Sequence, residues 1–417
     1  QTMYNDFTIY SLRPNNTVLF WERAYLCVNN LRYIRKVSGD NSNIGAAAIV
    51  LECYTFQTIT DMWGNVPYSQ AAKLEEGIDH PAYDKQEDIY RSILNELRQA
   101  AETFDESKPA IQDGDFIFYG NLNCWRRFAN ALRLRVAARA AVKDPALAAA
   151  VFSEVLSNPD KYPLPEQVDH GAIYDAWDNN TPEPLASNYA TRKNDYSVSE
   201  LMIETLKELR DPRLPIYAEV TQAYASGSSA EPYKGYPTGL RTVALASQVS
   251  HIGERFVHKS DLLGISPMLR ACEPYFAIAY ANSLGIPTPG FDQQSAYVKA
   301  VELSLLENGL PSDSVDSYLA HGGKYDGSKS QLFTQWWISV FKHGIEAWSL
   351  FRMSGYPQGN HVASGSVYVG HNTPPIAFPY PTTEESLNAK HCAPEAARQI
   401  DQLWGKQMWW DVHDTIY

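Results

Sequence analysis

Apolar residues recur at helical spacing over most of this 417-residue chain. In FWERAYLCVNNLRYIRKV (20–37), Tyr25, Val28, Leu31 and Ile34 fall on one stripe, with Trp21 one turn earlier. NIGAAAIVLECYTFQTITDMW (43–63) is apolar over most of its surface, which predicts a buried helix. In residues 83–104, Ile89, Ile93, Leu97, Ala100 and Phe104 line one face, and Asp84 with Glu87 reads as a capping box. A fourth helix is expected over 123–142. A fifth follows it, with Asp144 as N-cap and Pro145 at the first helical position. Ser197 and Glu200 repeat the capping-box pattern ahead of a helix over 197–211. Three more helices are expected. One runs from Ser266 and Pro267 to Gly285, kinked at Pro274. The others cover 295–309 and 331–355.

Short polar corners join these helices in pairs. The pattern predicts an all-α fold: a tetratricopeptide-like helix-hairpin array with a loop-rich insert. No clean 34-residue repeat is visible, so the array is degenerate. The whole chain, 1–417, reads as one domain, with the array mainly in 20–157 and 266–355. Residues 158–196, 212–265 and 356–390 are rich in Pro, Gly, Asn, Ser and Tyr, with little periodicity. They are the expected ligand-facing regions, because long loops in a compact protein usually carry function.

The net charge of −13 removes a nucleic-acid backbone and a polybasic membrane contact from consideration. No run of about 18 apolar residues predicts a membrane span. Of the five cysteines, Cys27, Cys53 and Cys272 lie in predicted helices and read as small buried thiols. The ten histidines are scattered. Asp175, Asp178, Asn179 and Asn180 lack the ligand alternation and glycine of a calcium loop. There is no G-x-S-x-G and no phosphate loop. No catalytic residue, metal ligand or cofactor is assigned. Arg126, Arg127, Arg133, Arg135 and Arg139 read as a buried or interfacial set of ion pairs to acidic helices, with an anion site as the alternative.

Aromatic residues make up 12% of the chain, and some fall in loops. Tyr174, Trp177, Tyr189 and Tyr196 are interleaved with Asn188, Arg192 and Asp195. Flat rings contact sugar faces, and fork-shaped polar groups bind hydroxyls. Loop packing is the alternative.

TDMWGNVPYSQA (60–71) resembles the tD.yGdvPyseA signature of the SusD/RagB family of surface glycan-binding lipoproteins. Six further strings resemble that family in the same order: HPAYDKQEDIYRSILNELRQA, WRRFANALRLRVAARAAVKDPALA, DPRLPIYA, EPYFAIAYANSLG, GIEAWSLFRMSGYP and FPYPTTEESLNA. The likeness runs from about residue 20 to the end. Ser349, Met353 and Tyr280 stand where the family often has Asp, Arg and Glu. The resemblance implies structural roles for Asp61, Gly64, Asn65, Pro67, Tyr68, Arg352, Gly355, Tyr356 and Pro357. It also implies a non-catalytic carrier that delivers oligosaccharide to a SusC-like TonB-dependent transporter. The carrier would be held at the outer-membrane surface by a lipid on a cysteine expected upstream of Gln1. A secreted glycan-active enzyme and a helical interaction scaffold are the alternatives. The expected ligand site joins Trp21, placed at the exposed start of its helix, to Tyr174, Trp177, Asn188, Tyr189 and Arg192, with Trp177 or Tyr189 stacking on a sugar.

Overall fold

A computed structural model describes residues 15–111, 113–174, 176–178, 180–239, 246–257, 265–359, 371, 373–398, 404 and 408–411. More than half of the chain is helical. Helices α1 (Asn15–Ser38), α2 (Asn43–Trp63), α3 (Gln86–Thr103), α4 (Leu122–Ala140) and α5 (Pro145–Leu156) pack each on the next. A second set comprises α8 (Glu273–Ser283), α9 (Gln293–Glu307), α10 (Ser312–Ala320), α11 (Lys329–Ser339) and α12 (Gly344–Ser354). Helix α8 lies against α4, and α12 returns to α2. Two short helices, α13 (Thr382–Leu387) and α14 (Ala389–Ala396), bring the C-terminal part of the chain back to α1. Between the two sets lie α6 (Pro184–Arg192), α7 (Glu200–Glu208) and a two-stranded antiparallel sheet. Its strands are β1 (Ala172–Tyr174) and β2 (Ser266–Leu269).

Local chemistry moves several expected boundaries. Asp84 does not cap α3; its carboxylate accepts from the Tyr68 and Ser69 amides at 2.9 and 2.8 Å, fastening the 68–69 turn instead. Ser199, not Ser197, caps α7, accepting from Met202 N at 3.3 Å. Pro274 sits in the first turn of α8, where its missing N–H costs nothing, so it starts the helix rather than kinking it. Residues 266–269 ahead of it are strand. The expected 331–355 helix is two, α11 and α12, broken at Lys342, whose φ is +68°. Cys27 is exposed, not buried, and all five thiols are free.

Arg133, Arg135 and Arg139 of α4 are buried, and so are most of their partners, whereas Arg126 and Arg127 are half-buried. Arg135 meets Glu273 at 2.6 Å, while Arg139 bridges Asp61 and Glu346; these five side chains are at most 3% exposed. Asp61 also accepts from Gln57 at 2.5 Å, from the Tyr90 hydroxyl and from Trp410 Nε1 at 3.1 Å. Such a network leaves no buried charge without a counter-charge. Arg126 donates to the Ala101 and Phe104 carbonyls and so caps the C-terminal end of α3, whereas Arg127 is tied to Asn123 and the Leu164 carbonyl.

The turn after α2 is held from the far end of the chain. Gly64 takes φ +84° and donates to the Thr60 carbonyl at 2.7 Å. Asn65 accepts from Gln86 N and donates to Glu395, both at 3.0 Å. Tyr25 donates to the Pro67 carbonyl at 2.8 Å, and Tyr68 donates to Glu96 at 2.7 Å. Tyr380 donates to the Asn65 carbonyl at 2.7 Å. Arg352 is buried, donating to Ser349 Oγ and to the Ile376 carbonyl at 2.9 Å, with its guanidinium 3.6 Å from the Trp348 ring centre. Ser349 thus accepts from the guanidinium. Gly355, at φ +78°, ends α12, and a cis Tyr356–Pro357 bond follows. All nine motif residues therefore sit in framework contacts or turns.

Candidate functional site

Trp21 is not at an open helix end. Helix α1 already runs from Asn15 among the described residues, so Trp21 lies inside it and is 4% exposed. It packs edge-on against Trp63 at 5.0 Å and beside Tyr83 and Tyr380. Tyr189 is 1% exposed and donates to the Ile252 carbonyl at 3.2 Å, which leaves no ring face for a sugar. Asn188 donates back to the Pro184 carbonyl at 2.8 Å, within its own helix. Arg192 is exposed, 3.7 Å from Asp195. Tyr174 and Trp177 are half-buried and meet edge to face at 4.6 Å. Among the described residues Trp177 Nε1 finds no acceptor. Asp175 and Asn179 lie outside the described residues. No described contact joins Trp21 to this loop.

The insert carries its own small core. Val198, Met202, Ile203, Leu206, Tyr217 and Phe256 pack on Ile338 of α11. The DPRLPIYA segment roots it. Arg213 meets Asp211 and Gln335 at 2.6 Å and Ser304 at 2.9 Å, while Tyr318 donates to Asp211 at 2.8 Å. Backbone bonds then stitch the loops together: Glu200 N to Tyr236 O at 2.9 Å, Val198 N to Ser250 O at 3.0 Å, and Glu219 N to His251 O at 2.9 Å.

A cleft of about 390 Å³ opens where this insert meets the α11–α12 break. Its walls include Leu185, Ser197, Ser199, Met202, Ile252, Trp337 and Lys342. That volume is in the range of small-molecule sites. The break creates the opening. Lys342, in its left-handed conformation, turns the chain aside and sends its ammonium to the Phe256 carbonyl at 2.8 Å and to Glu183 at 3.3 Å. Burial pushes this ammonium below its ordinary pKa, and Glu183 opposes that shift. Glu183 also accepts from Ala186 N at 2.7 Å, so one carboxylate both caps α6 and fixes the cleft lysine.

Trp337 was not among the expected site residues, although WW at 336–337 carried a signal. Adjacent helical positions point about 100° apart, so both rings cannot enter one core. Trp336 takes the core at 1% exposure, and Trp337 is left half-buried at the cleft. The cleft therefore combines the Trp337 and Phe341 rings, apolar side chains, two serines and a fixed ammonium.

Gly235 matters to this arrangement, since a Cβ there would lie 2.2 Å from Glu200 Cα. Gly235→Ala is expected to push the 233–236 segment off the start of α7 and cost about 1–3 kcal/mol. A thermal melt checks this; an unchanged midpoint would show that the contact is not needed.

A larger groove of about 960 Å³ lies between α1 and residues 68–76. Its charges are already paired: Arg32 with Glu52 at 2.7 Å, and Arg35 with Glu52 at 2.6 Å and Asp40 at 3.0 Å. Burial raises the Glu96 carboxyl pKa, countered by the Tyr68 hydroxyl and the nearby arginines. This groove fastens α1 to the turn. Among the described residues no three His, Cys, Asp or Glu side chains gather as a metal-holding group.

The SusD-like family model described as "starch-binding associating with outer membrane" matches residues 1–381. A chitin-binding protein of known structure superimposes with a TM-score of 0.84 at 24% identity, over 97% of this chain and 90% of its own. A chitin-binding SusD homologue from Flavobacterium johnsoniae gives 0.82 at 23% identity, over 99% and 90%. A SusD-like protein from Bacteroides thetaiotaomicron gives 0.82 at 21% identity, over 98% and 90%. A search of curated protein sequences found no match.

Proposed function

The chain belongs to the SusD-like family, and from that premise we propose that it is a non-catalytic glycan-binding protein of the outer-membrane surface. It holds oligosaccharide for a TonB-dependent transporter and is itself retained by a lipid anchor. The observation that carries this reading is the cleft at the α11–α12 break. Trp337 offers a ring for stacking, Ser197 and Ser199 offer hydroxyls, and Lys342 is held in place by Glu183. These groups bind; none forms a nucleophile–base pair. Of the loop residues named from sequence, Tyr174 and Trp177 keep half-buried rings and remain in the proposal as a flanking contact.

The transporter half of the reading is supported by α1. Leu19, Leu26 and Tyr33 recur every seven residues, Val37 follows, and all four are exposed. That is the spacing of a helix face that packs on a partner. Among the described residues no helix is long and apolar enough to cross a membrane, and a lipid anchor requires none.

Chito-oligosaccharides are the first ligands to test, because Met202, Ile252 and the Trp337 ring suit an acetamido methyl group and two of the structural relatives bind chitin. Calorimetric titration with chitohexaose and maltoheptaose is expected to show saturable binding without new reducing ends. Trp337→Ala should weaken it about 30-fold, roughly 2 kcal/mol, the scale of a binding hot spot. Cleavage of either oligosaccharide would favour an enzyme, and full affinity in the variant would move the site elsewhere.

A further inference from the structure

The cleft at the α11–α12 break carries a single charge. Among the described residues Lys342 is the one charged group on its walls, in a chain of net charge −13. Its counter-charge, Glu183, is 5% exposed and does not line the cleft. Two of the three ammonium N–H groups are spent, on the Phe256 carbonyl at 2.8 Å and on Glu183 at 3.3 Å. The third has no acceptor among the described residues. The lysine also sits at φ +68°, a conformation that glycine would take without strain. Strain of this kind persists only where the surroundings over-determine it, and it clusters at functional sites.

A half-buried ammonium with one N–H unspent calls for an oxygen acceptor on the ligand. A cationic ligand group would meet a like charge, with no carboxylate on the cleft walls to offset it. The rest of the wall chooses among oxygen acceptors. Met202, Ile252, Val340 and Ala347 are apolar. Against such a wall the second oxygen of a carboxylate would be left without a donor, which is costly for a charged group. An N-acyl group satisfies both conditions. Its carbonyl oxygen accepts from Lys342, and its methyl group lies on the apolar side chains. Ser197, whose hydroxyl makes no hydrogen bond among the described residues, is left for a hydroxyl of the sugar ring.

We infer that Lys342 is a specificity-determining residue of the cleft, whose unspent N–H selects sugars bearing an N-acyl group over those bearing a free amine or a carboxylate. This rests on the glycan-binding reading above. The test measures affinity by calorimetry at about pH 6, where a free amine is protonated. The ligands are chitohexaose, its fully deacetylated hexamer, hexagalacturonate and maltoheptaose. The proteins are the parent and two double variants, Glu183→Gln with Lys342→Met and Glu183→Gln with Lys342→Gly. The paired change strands no buried charge, and glutamine can still accept from Ala186 N. The glycine version covers the case in which methionine does not tolerate φ +68°. The parent is expected to hold chitohexaose about 10-fold more tightly than the deacetylated hexamer, the scale of a hydrogen bond to a charged group, and the variants should bring that ratio below about 3-fold. A merely structural lysine would lower every affinity together, so a ratio that the variants leave unchanged overturns the inference. So does a parent that prefers hexagalacturonate to chitohexaose, or that binds maltoheptaose alone. A parent that binds none of the four overturns the functional reading, and the inference with it.

Discussion

Arg139→Met is expected to cost about 3–5 kcal/mol, the scale for breaking a buried ion pair by removing one partner. The substitution keeps most of the volume but strands two carboxylates, Asp61 and Glu346, both at most 3% exposed. Asp61 would retain Gln57, Tyr90 and Trp410 as donors but lose its arginine counter-charge, while Glu346 would keep Arg135 at 3.7 Å. Urea unfolding of the variant checks the figure. Arg133→Met is the control. Its guanidinium is equally buried, but its partner Glu154 is one-third exposed and can return to water. It should lose less than half as much. Equal losses in the two variants would mean that volume, not charge, sets the effect.

A second large effect is expected in mild acid. His343 is half-buried, with Nε2 3.4 Å from the Tyr54 hydroxyl and an enclosed Nδ1 that has no described partner. Burial, helped by the nearby Arg135, pushes its pKa down to about 3. The unfolded chain takes up that proton near pH 6.5, and the folded chain does so only near pH 3. Between those values the unfolded state holds the extra proton, so stability falls as pH falls, by about 1.4 kcal/mol per pH unit. Glu346, held down to about 2 by Arg135 and Arg139, adds to the loss only below about pH 4.5. Glu273 is shifted upward by burial and acts in the opposite direction. Comparison with His343→Gln cancels both carboxyl contributions. From pH 6 to 4.5 the parent's unfolding free energy should fall more steeply than the variant's by close to one proton. Parallel slopes would show that the imidazole is already charged in the fold.

Most of the framework was legible because it repeats one rule many times. The stripes in 20–37 and 83–104 each put apolar residues on one face, and α1 and α3 formed there. Arg133, Arg135 and Arg139 were readable as buried ion-pair partners because they sit in an apolar helix of an acidic chain; Arg126 and Arg127, in the first turns of the same helix, instead hold backbone carbonyls. What escaped was set by contacts distant in sequence. Asp84 has the right spacing to cap α3, but the amides of residues 68 and 69 compete for it and win. Lys342 is unremarkable as a letter; only the Glu183 and Phe256 contacts, from the insert, hold it at φ +68° and split one expected helix in two. Trp21 looked like a helix opener, but residues 15–20 already belong to α1, and the ring is enclosed by Trp63, Tyr83 and Tyr380 from later in the chain. The candidate cleft was the least legible part, since its walls come from residues 185–202, 252 and 337–347.

The return of α12 to α2, and of α13 to α1, has a consequence for how the molecule comes apart. An open array of helix pairs is stabilised by nearest neighbours and can fray from either end, unit by unit. Here neither end of the array is free: Thr382 donates to Asn15 at 3.0 Å, and the turn at 63–65 is clasped by residues 379, 380 and 395. Fraying at one terminus therefore removes the support of the other, so the ring of helices should melt in a single step and resist exopeptidases from both sides until it does.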